Sequence, residues 1–200
     1  MMKYSYITIE REYGSGGSSI ARILSEQTGI PCYGGEILEK VSQAQGIPVE
    51  QIERYEESVT NSFLYSIYAI SRVHSGDVDV LTREGHIFVA EQAVIKELAE
   101  EGPAIFIGHC ACEALKDKEG VAHVFIRASE KERIRRSVEE YGLPEKEAVS
   151  NMKRFDKKRA NYFYANTLKK WDDYKNYDII LDSGTLGMDA CVKVLKGLIS

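Results

Sequence analysis

No apolar run in this chain approaches the roughly 20 residues that a helix needs to cross a bilayer. Yet 44% of its 200 residues are hydrophobic, so that apolar content is spread through amphipathic and buried segments sufficient for one substantial core. The N-terminal stretch is too polar for a signal peptide, and a cytoplasmic protein is expected. Cysteine is scarce: Cys32, Cys110, Cys112 and Cys191 have no disulfide-framework spacing and read as reduced, mostly buried thiols. The run His109 to Cys112 lacks a second ligand pair at suitable spacing, which argues against a zinc site. A surplus of positive charge is also missing. With 26 basic and 31 acidic residues the net charge is −5, which argues against a general nucleic-acid binder. There is no internal repeat and no low-complexity linker, so residues 1–200 are expected to form a single domain.

What is present is unevenly placed. Residues 127–170 carry 13 Lys and Arg against 7 Asp and Glu, and the rest of the chain carries 13 against 24. This segment is built to meet negative charge, although pairs such as Glu132 and Arg136 also suit helix-surface ion pairing.

The most informative stretch is residues 7–21, ITIEREYGSGGSSIA. Ile7 and Ile9 belong to a strand pattern, while Ile20, Ile23 and Leu24 recur at helical spacing after Ser18 and Ser19. Between them lie Gly14, Ser15, Gly16, Gly17, Ser18 and Ser19. Glycines let backbone N–H groups converge on an anion, and the helix that follows adds its unpaired donors and dipole. A phosphate-binding loop is the expectation. It departs from the standard G-x-x-x-x-G-K-[S/T] pattern, because Gly17 stands where the lysine belongs. Arg11, near the first glycine's position, is the nearest candidate to supply the lost cation, with a different reach and geometry. The Mg²⁺-binding hydroxyl is expected from Ser18 or Ser19.

An alternating apolar strand at 4–9, continuous apolar runs at 104–108, 122–127 and 178–182, and a short strand at 31–33 predict five strands, the continuous ones buried on both faces, hence a parallel sheet covered by helices. Helices are predicted over 18–28, 36–44, 49–58, 87–98, 129–141, 144–168 and 187–198. Phe63, Leu64, Ile67, Tyr68 and Ile70 form an apolar helical stripe, and Ser75 to Asp79 a loop. In open parallel sheets ligands bind beyond the C-terminal strand ends, so the loop after the first strand, His109, Arg127 and the run from Asp182 to Gly187 are expected to converge.

Several segments taken in order, REYGSGG, EGHIFVAEQAVIKELAEEGP with AIFIGHCA, RASEKERIRR, YGLPEKEA, KRFDKKRANYFY and NYDIILDSGTLG, resemble the cytidylate kinase-like family of P-loop nucleoside monophosphate kinases, over residues 3–199. The resemblance implies an α/β fold with a five-stranded parallel sheet and helices on both faces, a helical acceptor-binding excursion over 35–85 and a basic helical lid over 129–170. It implies ATP and Mg²⁺ as cofactors and a small-molecule nucleotide as partner, with cytidylate as acceptor and neither nucleic acid nor membrane. On this resemblance Gly14 to Ser19 hold the donor phosphates, and Ser183, Gly184 and Thr185, continuing to Leu186, line the adenine edge. Arg133, Arg136, Arg154 and Arg159 act as lid cations, joined by Arg11 in catalysis. Tyr33, Glu36 and His109 bind the acceptor; relatives carry arginine at the place of His109 and an acidic residue directly after Tyr33.

Two other readings follow from the departures. One is a nucleotide-binding regulatory protein with weak or lost transferase activity. The other is a Rossmann-type NAD(P) protein, because GSGGSS begins like G-x-G-x-x-G and Glu36 lies at a suitable distance for a ribose contact.

Overall fold

The computed structural model describes residues 4–59 and 83–199; the stripe from Phe63 to Ile70 and the loop from Ser75 to Asp79 lie outside them. Its centre is β1 (Tyr6–Arg11), whose continuous burial reflects a strand covered on both faces. β3 (Ala104–Ile107) and β4 (Val121–Arg127) flank it. β2 (Cys32–Tyr33) lies beyond β3, and β5 (Ile179–Asp182) beyond β4. All pairings are parallel, in the order β2-β3-β1-β4-β5.

This order corrects the dinucleotide-binding reading. In that fold the first strand lies beside the second, whereas here β3 separates β1 from β2. Glu36, the proposed ribose ligand, instead accepts from the N–H of Gly34 (2.8 Å) at the start of its own helix.

Side chains alternate between the two faces with the two-residue period of a strand. Ile105 joins Ile7, Ile9, Val124 and Ile126 under α1 (Gly17–Thr28), which contributes Ile20, Ala21 and Leu24. Ala104 and Phe106 face the other way, against α2 (Gly35–Gln45), α3 (Val49–Val59) and α4 (Arg83–Glu101). α5 (Ala111–Ala114) follows β3, and α6 (Glu130–Glu139) follows β4. α6 starts at a Ser-x-x-Glu pattern in which the Ser129 hydroxyl accepts from the Glu132 N–H (3.3 Å). α7 (Glu145–Thr167) crosses the C-terminal strand edge, where Phe163 packs with Phe125 and Trp171. After β5 come the short α8 (Ser183–Leu186) and α9 (Met188–Lys196), which returns Cys191, Val192 and Leu195 beside α1. Among the described residues no helix is long and apolar enough to cross a membrane.

Phe106 is fully buried at the contact between sheet and helices. Phe106→Ala is expected to cost about 3–5 kcal/mol in urea unfolding. The exposed Val194→Ala on α9 should change stability by less than about 0.5 kcal/mol.

Candidate functional site

The strand-to-helix turn after β1 is built on Gly14 and Gly16, both left-handed at φ 74° and 77°, a conformation glycine adopts without steric penalty. At Gly14 the surrounding backbone requires it as well. A Cβ on Gly14 would lie 2.8 Å from the Arg133 carbonyl oxygen, and one on Gly16 would lie 2.9 Å from Met188 Sδ. Gly16 is the N-cap of α1 and has no side chain with which to cap that helix end. First-turn amides of a helix have no intrahelical acceptor; here the Gly17 N–H faces Ser15 Oγ at 3.4 Å. The dipole and donors of a three-turn helix therefore point toward the C-terminal edge of the sheet.

Arg11 crosses this end of the molecule. A Cβ on Gly17 would lie only 2.6 Å from Arg11 Cβ and 3.0 Å from its Cγ, so the aliphatic stem occupies the space a side chain at 17 would need. Farther out, a Cβ on Gly108 would come within 2.5 Å of Arg11 Nη1. The side chain thus runs from the start of α1 to the end of β3. It lines a cleft of about 410 Å³ with Ser18, Arg22 and Glu36, and also a cavity of about 220 Å³ with His109, Lys158 and Arg159. Ser18, not Ser19, lines the cleft.

Arg133 and Arg136 are buried, at 7% and 4% exposure, and their donors go to the loop's own backbone. Arg133 Nε donates to the Tyr13 carbonyl (2.6 Å), and its guanidinium pairs with Asp156 and lies 3.5 Å from Glu12. Arg136 Nη1 donates to the Ser15 carbonyl (2.6 Å) and to Ser183 Oγ (2.9 Å), while Nη2 donates to the Ser183 carbonyl (3.0 Å). Burial raises Glu12 above the usual carboxylate range, against the pull of the Ala128 N–H and Arg133. These contacts tie the glycine loop to α6, α7 and the end of β5.

α7 meets the loop directly. Asp156 Oδ1 accepts from the Tyr13 N–H (2.8 Å), Arg159 Nη1 donates to the Arg11 carbonyl (3.0 Å), and the Tyr13 and Phe155 rings stack at 5.0 Å. Burial, and next the neighbouring Arg11 charge, brings Arg159 down to about 10. Two guanidinium groups held this close favour an anion between them. Arg154 is exposed, donates to Asn151 (3.1 Å) and lies 4.6 Å from the Phe155 ring centroid.

At the end of β3 the backbone takes three successive left-handed residues, Gly108, His109 and Cys110, at φ 71°, 53° and 51°. For the two non-glycine residues this costs on the order of 1–2 kcal/mol each. Gln92 Nε2 holds the turn by donating to the His109 carbonyl (3.0 Å). The turn aims His109 into the smaller cavity, with Nδ1 3.7 Å from Glu91 Oε2. Glu91 itself is fully buried and accepts from the Tyr162 hydroxyl. Burial pushes the Cys110 thiol well above its usual range, which leaves it a poor nucleophile.

Of the other residues expected at the site, Glu36 lines the cleft, while Tyr33 packs against Phe106 with ring centroids 5.7 Å apart. Ser183 is buried as a strut, and Gly184 and Thr185 are exposed at the start of α8, where their N–H groups donate to Asp182 Oδ1 (3.0 and 3.1 Å). Sequence reasoning missed Glu91, Asp156 and Tyr162. Glu91 had a signal: it falls on the apolar stripe of α4 formed by Ile87, Ala90, Val94, Ile95 and Leu98, where a carboxylate is out of place.

Arg136→Ala removes three charge-assisted hydrogen bonds to Ser15 and Ser183 from a buried setting, and should lower unfolding free energy by about 1–3 kcal/mol in urea titration. Arg136→Lys is expected to recover less than half of that loss, because an ammonium does not reproduce the guanidinium's two-nitrogen reach to Ser15 and Ser183.

The whole chain superposes on solved structures that share this architecture. A crystal structure of an uncharacterized protein from Eubacterium ventriosum is 26% identical with a TM-score of 0.71, covering 96% of this chain and 97% of that one. Shikimate kinase from Bacteroides thetaiotaomicron is similar at 12% identity and a TM-score of 0.53, covering 96% and 97%. APS kinase from Mycobacterium tuberculosis, solved in complex with AMPPNP and APS, is similar at 14% identity and 0.51, covering 99% and 98%. No curated protein matches the sequence. The fold is thus that of the P-loop kinases. Residues 6–185 match the cytidylate kinase-like family, and the chain, with its lysine-free glycine loop and five-stranded parallel sheet, belongs to that family.

Proposed function

We propose that this protein is an ATP-dependent phosphotransferase that moves the γ-phosphoryl group of Mg-ATP to a small anionic acceptor. The observation that carries this reading is the course of Arg11, whose side chain runs from the open N-terminus of α1 into a cavity it shares with Lys158 and Arg159. Donor phosphates fit the amides of Gly14 to Ser19, with Ser183, Gly184 and Thr185 at the nucleobase side. Arg11 replaces the lysine of the standard loop, and Arg159 and Lys158 face the transferring group. Arg133 and Arg136 suit bracing better than phosphate contact, because their donors already serve loop carbonyls. Arg154 is available on the exposed face of the lid.

A hydroxyl together with phosphate oxygens is an adequate set for Mg²⁺, and Ser18 in the cleft fits it. Bound there, the ion would neutralise charge across the donor phosphates. Arg11, Lys158 and Arg159 then add positive charge where the transferring group gathers negative charge. Holding donor and acceptor in line accounts for most of the remaining catalysis. The family resemblance names cytidylate as acceptor; the cation cluster supports the wider class of small anions.

The exchange of cations is directly testable by calorimetry with ATP and by ADP release. Arg11→Ala should weaken ATP binding or turnover at least tenfold, on the scale of about 1.4 kcal/mol or more. Gly17→Lys alone should also lose function, because its Cβ meets the Arg11 stem. The double variant Arg11→Gly with Gly17→Lys should recover much of the loss by rebuilding the standard loop. Wild-type affinity in Arg11→Ala would remove Arg11 from the site.

A further inference from the structure

The sulfur atoms of this chain are unequally protected. Cys110, Cys112 and Cys191 are buried and Cys32 is half-buried. Burial is the first cause raising each thiol, Cys32 to about 11 and Cys110 well above its usual range. A peroxide attacks the thiolate, so these cysteines oxidise slowly at neutral pH. A thioether needs no deprotonation, and access to the sulfur decides its rate. Of the methionines among the described residues, Met152 on α7 is 5% exposed, whereas Met188 is half-buried at the start of α9.

What Met188 touches sets it apart. It follows Gly187, whose φ of 82° turns the chain from α8 into α9, and its side chain lies over the glycine loop. A Cβ on Gly16 would lie 2.9 Å from Met188 Sδ and 3.1 Å from Arg136 Nη1. Thioether and guanidinium thus approach the same point beside the N-cap of α1. That Nη1 is the atom donating to the Ser15 carbonyl (2.6 Å) and to Ser183 Oγ (2.9 Å). The Met188 side chain also packs on the apolar cluster beneath α1. A thioether sulfur is a weak acceptor and competes little for the arginine. A sulfoxide oxygen is a strong acceptor and competes well.

We propose that Met188 is a modification site, where oxidation to the sulfoxide by a peroxide loosens the phosphate loop and reduction tightens it again. The sulfur lone pair attacks one oxygen of hydrogen peroxide as the O–O bond breaks. The sulfur is oxidised by two electrons, the peroxide is reduced, and its second oxygen leaves as water with both protons. The oxygen now on sulfur draws Arg136 Nη1 from the Ser15 carbonyl, and a polar group replaces an apolar one against the core. The loop amides then converge less well on an anion. A dithiol reductase of the methionine sulfoxide class reverses the change, the oxygen leaving as water while two thiols become a disulfide. The site goes beyond the phosphotransferase reading, because it governs the loop whatever the acceptor is.

The test uses the full chain treated with dilute hydrogen peroxide. Peptide mass spectrometry should show Met188 gaining one oxygen at least about tenfold faster than the buried Met152; equal rates overturn the proposal. In the oxidised protein, amide hydrogen exchange over residues 13–17 should rise and ATP affinity by calorimetry should fall about tenfold. A methionine sulfoxide reductase should restore both, and recovery of neither overturns the proposal. Met188→Leu keeps volume without sulfur, so loop protection and ATP affinity should survive the same treatment. If that variant loses them as the wild type does, the lesion lies at another residue and the proposal fails.

Should Met188→Leu not fold, Met188→Gln places a polar oxygen at the loop without any oxidant. It should by itself raise exchange over 13–17 and weaken ATP binding, and wild-type values would overturn the proposal. Untreated protein that binds no ATP removes the phosphotransferase reading alone. Loop exchange then decides, rising with Met188 oxidation if the site is as proposed and staying level if it is not.

Discussion

Arg11 and a side chain at position 17 exclude each other, and much of the site follows from that steric fact. With the arginine stem lying across the start of α1, position 17 must be glycine, and the guanidinium passes close to Gly108, whose left-handed backbone at φ 71° favours glycine. A lysine on the helix reaches its phosphate from within the loop. Arg11, on the strand before the loop, lies instead on the sheet side and carries its charge onward to the cavity at the end of β3. The position of Arg11 thus places one charge between the cleft at the start of α1 and the cavity beside it.

A glycine-rich turn has little stiffness of its own, and here the surrounding fold supplies it. Arg136 joins the Ser15 carbonyl to Ser183 at the end of β5; Arg133 joins the Tyr13 carbonyl to Asp156 on α7. Charge-assisted hydrogen bonds in a buried setting are stronger than neutral ones, and these hold the Tyr13 and Ser15 carbonyls in place. The same contacts couple the loop to α7, because Asp156, Phe155 and Arg159 all meet residues 11–13. Displacement of that helix would disturb the loop as well as the cavity it covers.

Most of the architecture was legible in the chain. The buried runs over 104–108 and 122–127 became β3 and β4 within a residue or so, and the helix predicted over 129–141 became α6. The predicted helix at 187–198 appears as α9, preceded by the one-turn α8, whose first amides Asp182 caps. The arginines were harder to read. Arg133, Arg136, Arg154 and Arg159 carry the same charge along two helices, yet two are buried in the loop's support, one is exposed and one lines the cavity. Composition cannot distinguish these fates, because a long cation extends in a direction set by the helix that carries it and by what lies across from it.

Taken alone, the sequence determined the strands, the helices and the phosphate-loop character of residues 14–19, because hydrophobic periodicity and glycine placement act over a few neighbouring residues. It also showed that the usual lysine was missing. Only the tertiary structure decided where the Arg11 side chain runs, and that His109 and Glu91, 18 positions apart, face each other beside Tyr162. Those relations depend on the parallel order β3-β1-β4 and on α7 lying over the strand ends. Contacts between distant segments arise from packing, which no local pattern encodes.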